Sequence, residues 1–377
     1  MLDTVILIIP TEKMKSLEDN RGFFPLWIMQ SYGNGYTKWI KNMPKQKEND
    51  IPYYPRLVRY KNNVVSNIKI EFSVSKLIYG NNLDEVEEKD FPLVIDALQK
   101  RLLDMGEVVE KIDLENASIS TMHPSKNILI SDGYTAYSVI KELGKINIHK
   151  KLELTKVNFK DDGKALHLYA TNHSIIFYDK IADLSQNKKK AIDQNQTPQQ
   201  FSLADEIKKK KSPLEIFRME VRLCKKRKIS SVMQKLGFQK NPTFKDVFKK
   251  DVCQKIVKWY WDIIIKGENL FLFEMGNNPK QLLKDILRKE TGIKFGKAIQ
   301  LVGLNTLCKD GGIRDLRNIA EKRISQRNWY RMSDDIKLLN AINDNKVLCS
   351  WVGQIENAIN NFEPFHFHIE AGLPLQC

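Results

Sequence analysis

The spacing of apolar residues changes once along this chain, near residue 225, and that change constrains the fold more than any other feature. Before it, apolar residues gather in short β-type runs, Val5–Ile9, Leu57–Tyr60, Val64–Val65 and Ile68–Val74, separated by Asn, Gly and Pro. After it the spacing is helical. Ile229–Leu236 ends at Gly237, and Thr243–Lys266 carries Phe244, Val247, Phe248, Val252, Ile256, Trp259 and Ile263 on one stripe. Lys280–Glu290, Ala298–Cys308, Ile313–Ile324 and Trp329–Ile342 continue the pattern. The expectation is an α+β fold: an antiparallel-sheet domain over 1–225, an all-helical domain over 226–345, and a tail over 346–377.

Two helices interrupt the strand-rich part. Asp90 opens one, with Leu93, Val94, Leu98 and Leu102 at helical spacing and Met105-Gly106 closing it; Thr135–Leu143 is the other, stopped by Gly144. Glu107–Ile130 has strand character. Leu152–Phe159 and Ala165–Tyr178 pair as a hairpin around Asp161-Asp162-Gly163. The stretch 185–211 is polar, Gln-rich and Lys-rich, and reads as an arm whose lysine runs are solvated.

Charge narrows the partner. Lys and Arg outnumber Asp and Glu by 61 to 46, a net charge of +15, which suits a polyanion such as nucleic acid. No apolar run is long enough to span a bilayer. MLDTVILIIP has an acid at Asp3 and no basic start, so it reads as a first strand and not as a leader. The five cysteines (Cys224, Cys253, Cys308, Cys349, Cys377) are widely spaced without a CxxC, which argues for a reducing compartment and against both a disulfide framework and a cysteine zinc site. No phosphate-binding glycine loop is present; Gly33-Asn34-Gly35 lacks the strand–glycine–helix setting.

Two strands carry the candidate chemistry. In ALHLYATNHSIIFYDKIADL, Tyr178 stands two residues before Lys180 at the end of an apolar strand. An ammonium there favours the phenolate and can neutralise a phosphate oxygen; the plainer alternative is a half-buried strand tyrosine with its hydroxyl in water. In LEIFRMEVRL, alternation puts Arg218, Glu220 and Arg222 on one face and Phe217, Met219, Val221 and Leu223 on the other. Such a charged face suits phosphate or a metal, or is an ordinary solvent face with Arg–Glu pairing. Farther on, the helix pair joined at Ser325-Gln326, with Arg327-Asn328 opening the second helix, has the outline of a helix-turn-helix.

Taken in order, MLDTVILIIP, EFSVSKLIYGNNLDEV (71–86), ISTMHPSKNILI (119–130), SIIFYDKIADL (174–184), LEIFRMEVRL (214–223) and RNWYRMSDDIKLLN (327–340) resemble rolling-circle replication initiators of the filamentous-phage gene-two type, also found on plasmids and prophages. The resemblance covers residues 1–340. It implies an enzyme that nicks one strand of an origin, stays joined to the 5′ end through a tyrosine, frees a 3′ hydroxyl to prime synthesis, and rejoins the strand afterwards. The nucleophile would be Tyr178 and its electrostatic partner Lys180. A divalent ion, Mg2+ or Mn2+, would polarise the scissile phosphate, with Glu220 and His123 as ligands; His123 stands where the phage protein has an acid.

The side chains expected on DNA are Arg218, Arg222, Lys126, Arg327 and Arg331. Tyr53, Tyr54, Tyr60 and Tyr79 are candidates for base stacking, and Tyr134, Tyr137 and Tyr169 for a second nucleophile. Related nickases use a His-hydrophobic-His pair; His167-Leu168-Tyr169 holds only its first member, and His366-Phe367-His368, outside the resemblance, is the literal match. The implied partners are origin DNA in single-stranded or hairpin form and the host helicase and polymerase, in the bacterial cytoplasm, with no membrane. The competing expectation is a basic origin-binding protein that does not nick.

Overall fold

The computed structural model describes residues 1–18, 22–32, 36–43, 52–61, 66–146, 152, 154, 156–184, 203, 207, 214–265, 278–320, 323–342 and 349–367. Among them the strands are β1 (Leu2–Pro10), β2 (Met14–Ser16), β3 (Ile28–Tyr32), β4 (Tyr36–Lys41), β5 (Arg56–Lys61), β6 (Ser66–Ser73), β7 (Glu107–Val109), β8 (Ser118–Ile130), β9 (Lys156–Lys160), β10 (Ala165–Tyr169), β11 (His173–Asp179) and β12 (Glu215–Leu223). Ten form a single antiparallel sheet in the order β3-β4-β5-β6-β1-β8-β12-β11-β10-β9, while β2 pairs with β7. The fold is α+β. The expected runs at 5–9, 57–60 and 68–74 are strands; Val64 and Val65 lie outside the described residues. β3 and β4 carry no clear sequence signal, since Gln, Ser and Lys interrupt their apolar positions. The stretch 107–130 is not continuous strand: the helix Lys111–Glu115 separates β7 from β8.

Alternation gives the sheet two unlike faces. On one, Val5 lies beside Phe72 and Met122, Leu7 beside Ile70, and Met219 beside Phe177, which in turn lies beside Leu166. All are buried in one core with side chains of the helices Phe91–Asp104, Ala136–Leu143, Lys226–Lys235, Lys250–Ile265 and Ser350–Asn361. These helices begin and stop where local chemistry dictates. Pro92 sits in the first turn of Phe91–Asp104, and the Thr135 hydroxyl accepts from Ser138 N to cap Ala136–Leu143. The expected long helix at 243–266 is two, Phe244–Val247 and Lys250–Ile265, the first capped by Thr243 with Asp246.

The cores do not divide at residue 225. Lys226–Lys235 and Lys250–Ile265 join the sheet's core. So does Ser350–Asn361, which is therefore no tail: Trp351, Val352, Ile355 and Ile359 are all buried there. A separate core of Ile286, Ala298, Leu301, Leu304, Cys308, Ile313, Ile336, Leu339 and Ile342 belongs to the helices Pro279–Lys289, Phe295–Asp310, Gly312–Ala320 and Gln326–Ile342. Helical spacing shows that a segment has an apolar stripe; it does not say which surface the stripe meets.

The second face of the sheet is charged at its centre. A smaller cluster covers part of it: Leu83, Leu184 of the helix Lys180–Leu184, Ile216, Phe365 and Phe367, together with Leu203 and Ile207. Those last two are the described residues of the polar arm 185–211, whose lysine runs lie outside the described residues. No helix among the described residues is long and apolar enough to cross a membrane.

Candidate active site

The charged face centres on four neighbouring strands, β1, β8, β12 and β11. Register aligns the side chains in rows. Asn127, Arg218 and Tyr178 form one row; Ser125, Glu220 and Ile176 form the next. Directly opposed residues in an antiparallel pair project to the same side, so Tyr178, Arg218 and Glu220 share the face.

The strand face read as charged from its alternation is therefore not solvated. Glu220 is 1% exposed and Arg218 2%. Removing charges from water costs on the order of several kcal/mol each unless partners compensate, and the partners are present. His123 Nδ1 lies 3.2 Å from Glu220 Oε1, and Arg222 Nε donates to the same oxygen at 2.7 Å. The Tyr178 hydroxyl donates to Glu220 Oε2 at 3.1 Å. Arg218 Nη1 donates to the Asn82 carbonyl at 3.0 Å and to Asn127 Oδ1 at 3.2 Å, and Nη2 to Ser125 Oγ at 2.8 Å. Arg218 Nη2 also stands 3.0 Å from Asp3 Oδ1 in an ion pair.

Asp3, His123 and Glu220 form a cluster whose ligand atoms, one from each residue, all lie within 4.8 Å of one another. One imidazole and two carboxylates suit a hard divalent ion with some affinity for nitrogen, such as Mn2+ or Mg2+. The fit has a second support: Asp3 Oδ1 is buried and accepts no hydrogen bond, for all its closeness to Arg218. A buried acceptor left over is uncommon and calls for an explanation.

Electrostatics sort the groups. Burial works to raise the Glu220 carboxyl, but Arg222, then His123 and Arg218, outweigh it and hold it well below the usual carboxylate range. Burial pushes the Tyr178 hydroxyl well above its ordinary value; Arg218 acts against this and the Glu220 charge adds to it. Arg218 is thus the strongest cationic influence on the phenol, the part expected of Lys180. Lys180 is fully buried, with Nζ 5.5 Å from the centre of the Tyr178 ring and 3.5 Å from Asp183.

The other expected residues fall as follows. His123 and Glu220 come together as expected, and Tyr178 adjoins them. Arg218 and Lys126 are both buried. Lys126 is 4% exposed and pairs with Glu85 at 2.7 Å, so burial withdraws both cations from the set that reaches a DNA backbone. Arg222 retains 38% of its side-chain exposure beside Glu220, and Arg327 and Arg331 are exposed on Gln326–Ile342. The helices Gly312–Ala320 and Gln326–Ile342 both pack against Phe295–Asp310.

His366 is not in the metal cluster: it stands 4.0 Å from Asp84 and 3.7 Å from Glu87, and His368 lies outside the described residues. His167 is also outside the cluster, with its Nδ1 on the Tyr169 hydroxyl at 2.9 Å. Two of the tyrosines considered for stacking serve the fold. Tyr53 is buried and accepts from Ser73 N, and Tyr79 donates to Asp90 Oδ2. Tyr54 donates to Asp104 Oδ2, and Tyr60 stacks with Lys69.

Sequence reasoning missed Asp3 as a ligand. The signal is a lone acid inside the apolar run MLDTVILIIP, which on its own speaks only against a leader peptide. Its further meaning depends on β1 pairing with β8, which brings the start of the chain beside His123.

The site defines a class: an α+β protein with an antiparallel sheet, a candidate Asp–His–Glu metal centre and a tyrosine hydrogen-bonded to one of its carboxylates. Compared with known families, curated proteins and solved structures, the chain finds no match.

Proposed function

We propose that the protein is a metal-dependent DNA nickase and strand transferase that initiates rolling-circle replication through a covalent bond from Tyr178 to the 5′ end of the nicked strand. The observation that carries this reading is the 3.1 Å hydrogen bond from the Tyr178 hydroxyl to Glu220, a member of the Asp3–His123–Glu220 cluster. Asp3, His123 and Glu220 would hold a divalent ion, which would supply charge to polarise the scissile phosphate.

The chain's own groups do the rest. Glu220 accepts the phenol's hydrogen bond and orients it, the phenolic proton passes to solvent water as the bond to phosphorus forms, and the Arg218 charge offsets part of the rise that burial imposes on the phenol. The Tyr178 oxygen attacks phosphorus, the P–O bond to the 3′ oxygen breaks, and that oxygen leaves to take up a proton as the 3′ hydroxyl. Rejoining is the reverse, with the 3′ oxygen attacking the phosphotyrosine. One phosphodiester is exchanged for another, so no nucleotide cofactor is required. Arg222, the partly exposed cation on Glu220, reaches the substrate phosphate. Arg327 and Arg331, four residues apart on one helix and so on one face, hold origin DNA from the helical unit. The host helicase and polymerase then use the freed end, in the bacterial cytoplasm.

The test is incubation of the protein with Mn2+ and a supercoiled plasmid carrying its replication origin. The expected result is a covalent protein–DNA adduct that Tyr178→Phe lacks. An adduct that survives the substitution moves the nucleophile elsewhere; tight origin binding with no adduct from either protein favours the initiator that only binds.

A further inference from the structure

The rows that meet at the candidate active site do not stop there. Beyond β11 each continues across β10 to the edge strand β9. Arg218 and Tyr178 lead to Ala165 and Lys160; Glu220 and Ile176 lead to His167 and Asn158; Arg222 and Ser174 lead to Tyr169 and Lys156. The intervening residues Leu166 and Leu168 turn into the core, which leaves His167 and Tyr169 on the charged side.

Lys156 and Lys160 are exposed, and His167, Tyr169 and Asn158 are half-buried. This part of the face is cationic: the residues of β9 and β10 on this side are Lys156, Asn158, Lys160, Ala165, His167 and Tyr169, with no acid among them. Asp161 and Asp162 lie in the turn beyond β9.

Two rings lie side by side on it. The His167 and Tyr169 ring centres are 5.5 Å apart with 35° between their planes, and the bond from His167 Nδ1 to the Tyr169 hydroxyl ties them together. Lys160 Nζ stands 5.8 Å from the centre of the Tyr169 ring. Two strand spacings, about 10 Å, separate the β9 lysines from the Tyr178 strand.

We infer that the β9–β10 face is a track for single-stranded nucleic acid, along which the strand to be cut is led to Tyr178. A base stacks on the Tyr169–His167 platform, and Lys156 and Lys160 neutralise the flanking phosphates. A single strand fits because it alone presents base faces and phosphates together; a duplex keeps its base faces covered. The inference rests on the nickase reading for the direction of travel, while the binding it requires does not depend on nicking.

The test uses fluorescein-labelled oligothymidylate without metal, so that binding is read apart from chemistry. Tyr169→Ala weakens binding about tenfold, whereas Tyr169→Phe, which keeps the ring but loses the bond to His167, weakens it less. Lys156→Ala with Lys160→Ala, at exposed positions that leave the core intact, lowers the slope of log affinity against log salt by about 1.4, or about 0.7 for each phosphate no longer neutralised. Unchanged affinity and salt slope in the double lysine variant overturn the track, and so does an equal loss in Tyr169→Phe and Tyr169→Ala. The adduct assay separates the two ideas. Adducts with unaltered oligothymidylate binding in all variants refute the track and leave the nickase; weakened binding with no adduct from the parent refutes the nickase and leaves the track.

Discussion

Two buried carboxylates of this protein, Glu107 and Glu220, look alike by exposure and differ in what surrounds them. Glu107 is 0% exposed; one oxygen accepts from the Trp27 indole at 2.9 Å and from Lys41 at 2.8 Å, and the other from Ser16 at 2.9 Å. One cation balances one anion and the remaining donors are neutral, so the group is complete as it stands. Glu220 has a cation of its own in Arg222, but it shares its site with a second carboxylate, an imidazole and a phenol. That second carboxylate, Asp3, has its Oδ1 in a 3.0 Å ion pair with Arg218 but accepts no hydrogen bond there. Burial of a charge alone is weak grounds for chemistry. Two carboxylates, an imidazole and a phenol gathered at one place are better grounds.

If the two carboxylates differ in this way, substitutions around them have effects of unequal size, and the largest falls on the reaction. Tyr178→Phe keeps the ring, removes the nucleophile and lowers adduct formation by roughly 10^4-fold or more, at the limit of a gel assay. Next is Glu107→Ala, which leaves Lys41, with 5% of its side chain exposed, buried without its counter-ion. A loss of about 3–5 kcal/mol in chemical denaturation is expected, with Mn2+ affinity unchanged in the folded fraction. If Glu107→Ala instead abolished metal binding, the division between a structural and a functional carboxylate would fail.

Asp3→Ala removes a ligand as well as the ion-pair partner of Arg218, so it should lower metal affinity besides stability. Mn2+ affinity measured by titration calorimetry falls at least about tenfold, the scale seen even when groups behind a metal's ligands are removed. An affinity equal to the parent's would remove Asp3 from the ligand set.

The smallest effect concerns pH and a histidine outside the site. Burial, with Lys228 adding, lowers His173 from 6.5 to about 4. Its folded form is neutral, so as pH falls the unfolded chain binds the proton first. The stability involved is fully present above pH 6.5 and is lost between pH 6.5 and 4. We expect about 1–2 kcal/mol across that window, seen as a drop in the urea midpoint that His173→Phe flattens. Glu85 acts in the same direction at lower pH. Burial works to raise its carboxyl, Lys126 outweighs this and brings it to about 2, so its contribution fades as pH falls from 4.5 to 2.

Much of the fold is legible in the sequence because apolar spacing reports local structure. The ends of Phe91–Asp104 and Ala136–Leu143 follow from Pro92, Gly106, Thr135 and Gly144, and the alternation of β12 defines both of its faces. What spacing does not supply is partnership. The helix Ser350–Asn361 has a clear stripe in Trp351, Val352, Ile355 and Ile359, yet nothing local says that it returns to the sheet begun by Leu2–Pro10. The site is half legible for the same reason. Glu220 and Arg222 belong to one strand and can be read together, as can Tyr178 and Lys180. Asp3 and His123 lie on β1 and β8, and Arg218 acts on Tyr178 across a strand pair. Only the register brings them together.

The most direct measurement is to digest the protein–DNA adduct with trypsin and nuclease and weigh the resulting peptides. A nucleotide mass is expected on the peptide that holds Tyr178, with formation dependent on added Mn2+ or Mg2+ and absent from Asp3→Ala at low metal. The same mass on a peptide holding Tyr134, Tyr137 or Tyr169, or an adduct that forms undiminished in a chelator, would contradict a metal-dependent nickase acting through Tyr178.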